Sequence, residues 1–402
     1  MIGSIMSMKA FGIVIVFLFA SLHLQASSVP SKFKAVPERM LAFVDDGTVS
    51  GAVTLVAHKG EIVSLDAVGL ADIANKKPMR PDTLFWIASM TKLITASAIM
   101  ILQDEEKLSV DDPVEKFLPE FKNQWLIENK STESITLKKA PRPIRLRDLL
   151  THTSGLNDVP SPRPSCSLGE LAMAYSQLPL KFPPGTRWEY CNSGMNVLGR
   201  VVEVVSGHSF ADFVQDRLLK PLGMKDTTFW PSASQAKRLA KSYQPGKDKG
   251  SLEETNIWFI KGDLTDHSRT AFPSGGLFST TQDMWRFYQM ALNRGEFNGR
   301  RILSRQGVDQ MTRTQTGDIP TGFTEGMSFG YGWAVVKSPI GVTGMLSQGT
   351  FGHGGAYGTQ GWVDPKKELI CVLMIQRVRL PNSDASPIRK IFQEAAVAAI
   401  SE

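Results

Sequence analysis

The chain reads as a mixed α/β (α+β) protein: an antiparallel sheet formed by the N- and C-terminal segments, flanked by helices, with an all-helical insertion between them. Two observations predict this. Runs rich in β-branched and aromatic residues lie at both ends: Gly51–His58 and Ile62–Gly69 early, Gly330–Val336, Gly361–Asp364 and Leu369–Ile375 late. Between them, from about residue 110 to about residue 270, the apolar residues recur mainly at helical spacing.

In chain order, Met40, Leu41, Phe43 and Val44 give Ala35–Gly47 the apolar face of an amphipathic helix. Lys59-Gly60 between the first two strands is a hairpin signal, and Asn75–Pro81 is a loop. Asp111-Asp112-Pro113 starts a short helix, and the polar Lys122–Arg145 is a surface excursion. Leu146–Leu156 is read as a helix ending at Gly155, Val159–Pro164 as a proline-rich loop, and Leu168–Leu178 as helix. After the turn Pro183–Thr186 come a helix through Val197–Val205 closed by Gly207 and another over Phe210–Leu219. Glycine-rich Phe272–Phe278 leads into an amphipathic helix, Thr281–Leu292, and Pro387–Ile400 closes the chain as a helix.

With 45 basic and 39 acidic side chains in 402 residues, the chain is mildly basic. The clusters Lys138–Lys139 and Arg142–Arg147 are not interleaved with aromatics, so they read as solvated surface and no nucleic-acid partner is expected. Lys9, the apolar run Ala10–Leu22 and then Leu24-Gln25-Ala26 have the layout of a secretory signal over residues 1–26. The expected location is secreted or periplasmic, with no stable membrane span after cleavage. Three cysteines, Cys166, Cys191 and Cys371, leave at least one thiol unpaired, and a Cys166–Cys191 bridge stays open. There is no C-x-x-C and no H-E-x-x-H, so neither a metal nor an organic cofactor is implied.

The stretch with chemistry written into it is Thr83–Gln103. Its one charge is Lys92, three residues after Ser89. On a helix beginning near Ser89 the two side chains share a face, one turn apart. The surrounding residues leave almost no polar face, so the helix is expected to be buried and its lysine desolvated. Desolvation lowers a lysine pKa and equips it as a base beside a serine hydroxyl. Ser31–Lys34 and Ser234–Lys237 repeat the spacing in polar surroundings, which offer no such effect.

Three motifs in order complete the reading. Ser89-Met90-Thr91-Lys92 is S-x-x-K, Tyr190-Cys191-Asn192 is Y-x-N, and His353-Gly354-Gly355 stands before a C-terminal strand pair. From about residue 35 to the C-terminus the chain resembles the serine β-lactamase and penicillin-binding superfamily, in particular its class C branch with the family VIII carboxylesterases. The resemblance implies a β-lactamase/transpeptidase-like domain over 35–402 that forms an acyl-enzyme on Ser89, with Lys92 and Tyr190 handling the proton. It implies that Asn192, His353, Gly355 and Ala356 bind substrate, the Ala356 N–H joining that of Ser89 to hold the oxyanion. A Tyr190 phenolate beside the Lys92 ammonium is expected, the two titrating as a pair.

His353 departs from the K-T-G of the family. Histidine is largely neutral near neutral pH, so recognition of a substrate carboxylate should weaken and esters become better candidates. Esterase is the favoured activity, acting on a small-molecule ester; a β-lactam or a D-amino-acid peptide are alternatives. A Ser-His-Asp hydrolase is disfavoured, since Gly207–Ala211 misses G-x-S-x-G at its last residue. A non-catalytic binding or assembly protein of the same fold is the reading of another class; Ser89, Lys92 and Tyr190 together argue against it.

Overall fold

The computed structural model describes residues 31–159 and 163–401. The leader expected at 1–26 and the middle of the Val159–Pro164 loop lie outside the described residues. Helix α1 (Ala35–Asp45) leads into β1 (Gly51–His58), β2 (Glu61–Asp72) and the two-residue β3 (Lys77–Pro78), which falls in the stretch read as a loop. Lys59 and Gly60 have φ of 53° and 86°, so both central residues of the hairpin turn are left-handed, as a type I′ turn requires. Helix α2 (Thr91–Asp104) follows a single 3₁₀ turn, Ala88–Met90.

The middle of the chain holds α3 (Leu146–Leu150), α4 (Leu168–Ser176) and α5 (Asn192–Ser206), the last closed by left-handed Gly207 as expected. It is not all helix. A hairpin of β4 (Trp125–Lys130) and β5 (Ile135–Lys139) occupies the polar excursion, and β6 (Ser242–Pro245) pairs with β7 (Leu252–Thr255). Helix α3 stops five residues before Gly155. The Thr151 hydroxyl bonds back to the Arg147 carbonyl and to Thr153, and His152 turns left-handed at φ 59°. Local hydroxyl bonds of this kind compete with continued helix.

Helix α6 (Thr281–Leu292) has the expected bounds. The strand expected at Gly330–Val336 is instead a hairpin, β8 (Met327–Phe329) and β9 (Ala334–Val336). Gly332 at φ 75° makes the turn, and a Cβ there would lie 2.6 Å from that of Ala96 on α2. Strands β10 (Phe351–Gly354), β11 (Gln360–Asp364) and β12 (Leu369–Met374) and helix α7 (Pro387–Ser401) complete the chain.

One eight-stranded sheet, ordered β8-β9-β10-β11-β12-β1-β2-β3 and antiparallel at every pairing, joins the two ends of the chain. Val53 pairs with Met374 and Ala57 with Ile370. The two-residue period of a strand sends Val53, Leu55, Ile370 and Val372 into the core shared with α2 and α6. Ala52, Val56, Cys371 and Leu373 enter the opposite layer with Val36 and Met40 of α1 and Phe392 of α7. Both faces are thus covered, which accounts for the nearly unbroken apolar run of β12.

Candidate active site

From Thr83 to Leu102 every residue is buried except Ser89, which is partly open. The chain presents one hydroxyl to solvent at the point where the 3₁₀ turn meets α2. Ala88, just before it, has φ 46°, a left-handed conformation that costs a non-glycine residue of order 1 kcal/mol or more. Gly355 packs against this turn: a Cβ on it would lie 2.7 Å from the Ile87 carbonyl oxygen and 2.1 Å from Thr359 Oγ1. The end of β10 therefore approaches the Ser89 turn as closely as only glycine allows. Ala356, one residue on, is exposed beside it.

Lys92 is fully enclosed. Its Nζ lies 3.1 Å from Ser89 Oγ, 2.8 Å from Asn192 Oδ1 and 2.5 Å from the Ser274 carbonyl oxygen. Among the described residues no carboxylate forms an ion pair with it. Burial pulls its pKa down from 10.5 to about 7, with Asp158 and Cys191 acting weakly the other way. The desolvated lysine expected from the sequence is present, and its partners are neutral oxygens.

Tyr190 stacks its ring under the same amine, 4.7 Å from Nζ to centroid. Burial raises its pKa well above 10, and its hydrogen bond with Ser89 offsets only part of this. The phenolate expected from the sequence is therefore not favoured: Lys92 meets the ring face, and desolvation outweighs any charge stabilisation. Around Tyr190 lie His152 at 4.5 Å, Phe323 at 5.0 Å and His353 at 6.0 Å between ring centroids. His152 accepts the Cys191 N–H at Nδ1 (3.2 Å), and burial holds it neutral, its pKa well below 6.5.

Asn192 opens α5 and owes its orientation to Asp158. That carboxylate accepts the Asn192 Nδ2 amide (2.8 Å), which turns Oδ1 toward Lys92, and the Ser193 N–H at the helix start (2.9 Å). One turn along α5, Asn196 accepts the Ser274 N–H (3.2 Å) and donates to the Tyr175 hydroxyl (3.2 Å). Helix α5 thus fixes both oxygens that hold Lys92, one directly and one through Ser274.

His353 lies on β10 itself, two residues before Gly355 and buried. Its Nδ1 is 2.6 Å from the Gly354 carbonyl oxygen, the geometry of a donated N–H. Burial first, with help from the Lys92 charge, lowers its pKa to about 4, against the pull of Asp384. It is neutral at neutral pH, as expected. The three thiols are buried and unbridged, and burial pushes that of Cys191 up to about 12. Among the described residues no three His, Cys, Asp or Glu side chains converge as a metal site would need.

Of the seven residues singled out in the sequence, Ser89, Lys92, Tyr190, Asn192 and His353 come together through their side chains, Gly355 packs on the Ser89 turn, and Ala356 follows it in the chain. Asp158, His152, Asn196 and Ser274 were not anticipated. Of these, only Asp158 and Asn196 left a trace in the sequence, as polar residues beside a helix start and on its face.

The family model described as Beta-lactamase matches residues 37–396. The chain belongs to the beta-lactamase family. That family consists of serine hydrolases and belongs to the superfamily that includes the penicillin-binding proteins. It is 34% identical over 368 residues to Protein Rv1367c of Mycobacterium tuberculosis, covering 85% of this chain and 89% of that protein. It is 30% identical to Esterase EstB of Burkholderia gladioli, covering 87% and 91%. Among solved structures, simvastatin synthase LovD of Aspergillus terreus superposes with a TM-score of 0.76 at 21% identity, covering 92% of this chain and 98% of that one. That last likeness speaks for the fold.

Proposed function

We propose that the protein is an exported carboxylesterase that passes its substrate's acyl group through an ester on Ser89. The observation that carries this is the seating of Lys92. A neutral amine has two N–H groups and one lone pair. With the N–H groups given to Asn192 Oδ1 and the Ser274 carbonyl, the lone pair is left for the Ser89 hydroxyl, 3.1 Å away. Lys92 then takes the Ser89 proton as Oγ attacks the acyl carbon, and the oxyanion settles against the N–H groups of Ser89 and Ala356. Tyr190, kept as a phenol, donates its proton to the departing alkoxide and is reprotonated from Lys92. Water then attacks the acyl-enzyme, giving a proton to the same pair, and Ser89 Oγ leaves the carboxylic acid product as it takes that proton back.

The neutral His353 supports esters over β-lactams, since it offers no positive charge to a carboxylate. The presence of an esterase among the relatives points the same way. Export rests on the charged, apolar and small-residue segments of the first 26 residues. The test compares turnover of short-chain p-nitrophenyl esters and of nitrocefin by wild type and Ser89→Ala. Ester hydrolysis that vanishes with Ser89, with nitrocefin slow or silent, is the expected result. Fast nitrocefin hydrolysis would instead make the protein a β-lactamase. No turnover of either, and no fluorophosphonate label on Ser89, would favour a binding protein.

A further inference from the structure

Asn192 and Asn196 also border a cavity of about 360 Å³ whose remaining wall is largely apolar: Tyr175, Trp258, Phe259, Ile260 and Phe272. Asp158, the carboxylate that orients Asn192, also lines the cavity, and the volume lies in the roughly 300–1,000 Å³ range of small-molecule pockets. Of the three cations in its wall, Arg163 pairs with Glu170, Lys261 is turned to solvent, and the buried Arg269 is not free to receive an anion. Its guanidinium donates to the carbonyls of Asp263 (2.8 Å), Phe229 (2.9 Å) and Leu264 (2.7 Å).

The cavity has a definite side. The oxygen of the leaving group must face Tyr190, the proton donor, and Tyr190 is surrounded by His152, Trp188, Phe323 and His353. None of those residues lines the cavity. With the leaving group on the Tyr190 side and the carbonyl oxygen between the Ser89 and Ala356 amides, the acyl chain is directed past Asn192.

The cavity wall is also tied to the oxyanion strand. The Tyr357 hydroxyl donates to the Asn256 carbonyl (2.9 Å) and accepts the Trp258 N–H (3.2 Å), and Tyr357 directly follows Ala356. Phe259 in turn stacks on Trp86 at 5.9 Å between ring centroids. The segment that shapes the cavity is therefore held in register with the amide that receives the oxyanion. Trp258 itself is 61% exposed, an apolar lip at the entrance.

We propose that this cavity is the acyl pocket, and that the preferred substrates are esters of uncharged, apolar acyl groups much larger than acetyl. The proposal rests on the esterase reading above. It is tested by kcat/KM for p-nitrophenyl acetate and p-nitrophenyl octanoate with wild type, Ile260→Trp, which fills the cavity, and Trp258→Ala, which removes the lip. Wild type should favour octanoate by about tenfold or more, since each buried CH₂ contributes about 0.8 kcal/mol before ordering costs. Ile260→Trp should cut the octanoate-to-acetate ratio at least tenfold, and Trp258→Ala, a surface change that leaves the core intact, should lower it severalfold. Acetate turned over as well as octanoate by wild type, or a ratio unmoved by both substitutions, would overturn the pocket assignment alone. Failure to turn over either ester would overturn the esterase reading and the pocket with it.

Discussion

The lowered pKa of Lys92 has consequences for activity and for stability that can be worked out together. Its amine titrates at 10.5 in an unstructured chain and at about 7 in the fold. Below that lower value it is protonated in both states, and the fold bears the cost of a buried ammonium. Between the two values the unfolded chain binds one proton more than the native protein, so stability rises with pH by about 1.4 kcal/mol per unit. Over the whole interval the effect is on the order of 5 kcal/mol; from about pH 6.5 to about pH 8.5 it is about 2 kcal/mol. The perturbation is Lys92→Met, which keeps the length of the side chain and removes the titration. Urea unfolding of wild type and variant at the two pH values isolates Lys92, because the shifts of Cys191, Cys371 and Tyr190 cancel in the difference. Wild type should gain about 2 kcal/mol on the variant, while kcat/KM of wild type rises through about pH 7 and the variant is inactive. A pH-independent stability difference, together with a flat rate profile between about pH 6 and about pH 9, would refute the claim that Lys92 is the base.

Three further outcomes follow from named contacts. Asp158→Asn removes a negative charge that raises the Lys92 pKa and weakens the grip on Asn192. It should move the midpoint of the pH–rate profile downward and reduce kcat by about tenfold to a hundredfold, a shift that loss of packing alone would not produce. Gly355→Ala forces a methyl group against Thr359 Oγ1 and the Ile87 carbonyl. It should destabilise the protein by about 1–3 kcal/mol in thermal unfolding and lower kcat on esters at least a hundredfold, because the Ser89 and Ala356 amides move apart. His353→Lys should raise the nitrocefin-to-ester ratio of kcat/KM by about tenfold, about 1.4 kcal/mol, with a loss of thermal stability from burying an ammonium.

The parts of the site legible in the sequence were those set by local geometry. Ser89 and Lys92 stand three residues apart, on the 3₁₀ turn and the first turn of α2 that continues it, and burial of Leu93–Leu102 follows from composition, so their relation needed no knowledge of the fold. The Tyr190–Asn192 and His353–Gly355 motifs were legible by resemblance and by order. Asp158 was not, because its bonds to Asn192 and Ser193 span 34 and 35 residues and arise only when α5 is docked. The same distinction holds for the fold. Strands β1 and β12 announce themselves by apolar content, since both of their faces are covered. Strand β5 is exposed at every position, and its brief alternation, Ile135-Thr136-Leu137-Lys138, is too short and too closely flanked by polar and charged residues to stand out from the surface excursion around it. The hairpin at Met327–Val336 was hidden by a turn, Gly330–Trp333, that carries two large aromatic residues and packs on α2. The protonation state of Tyr190 lay outside the reach of a motif, because it depends on which part of the ring the lysine meets.

The central claim is that Ser89 carries the acyl group, and the most direct test is mass spectrometry of the protein quenched during turnover of a p-nitrophenyl ester. The account predicts a mass increase equal to the acyl group, located on the peptide containing Ser89 and absent in Ser89→Ala. Steady ester turnover with the acyl group on another residue, or undiminished turnover by Ser89→Ala, would contradict it.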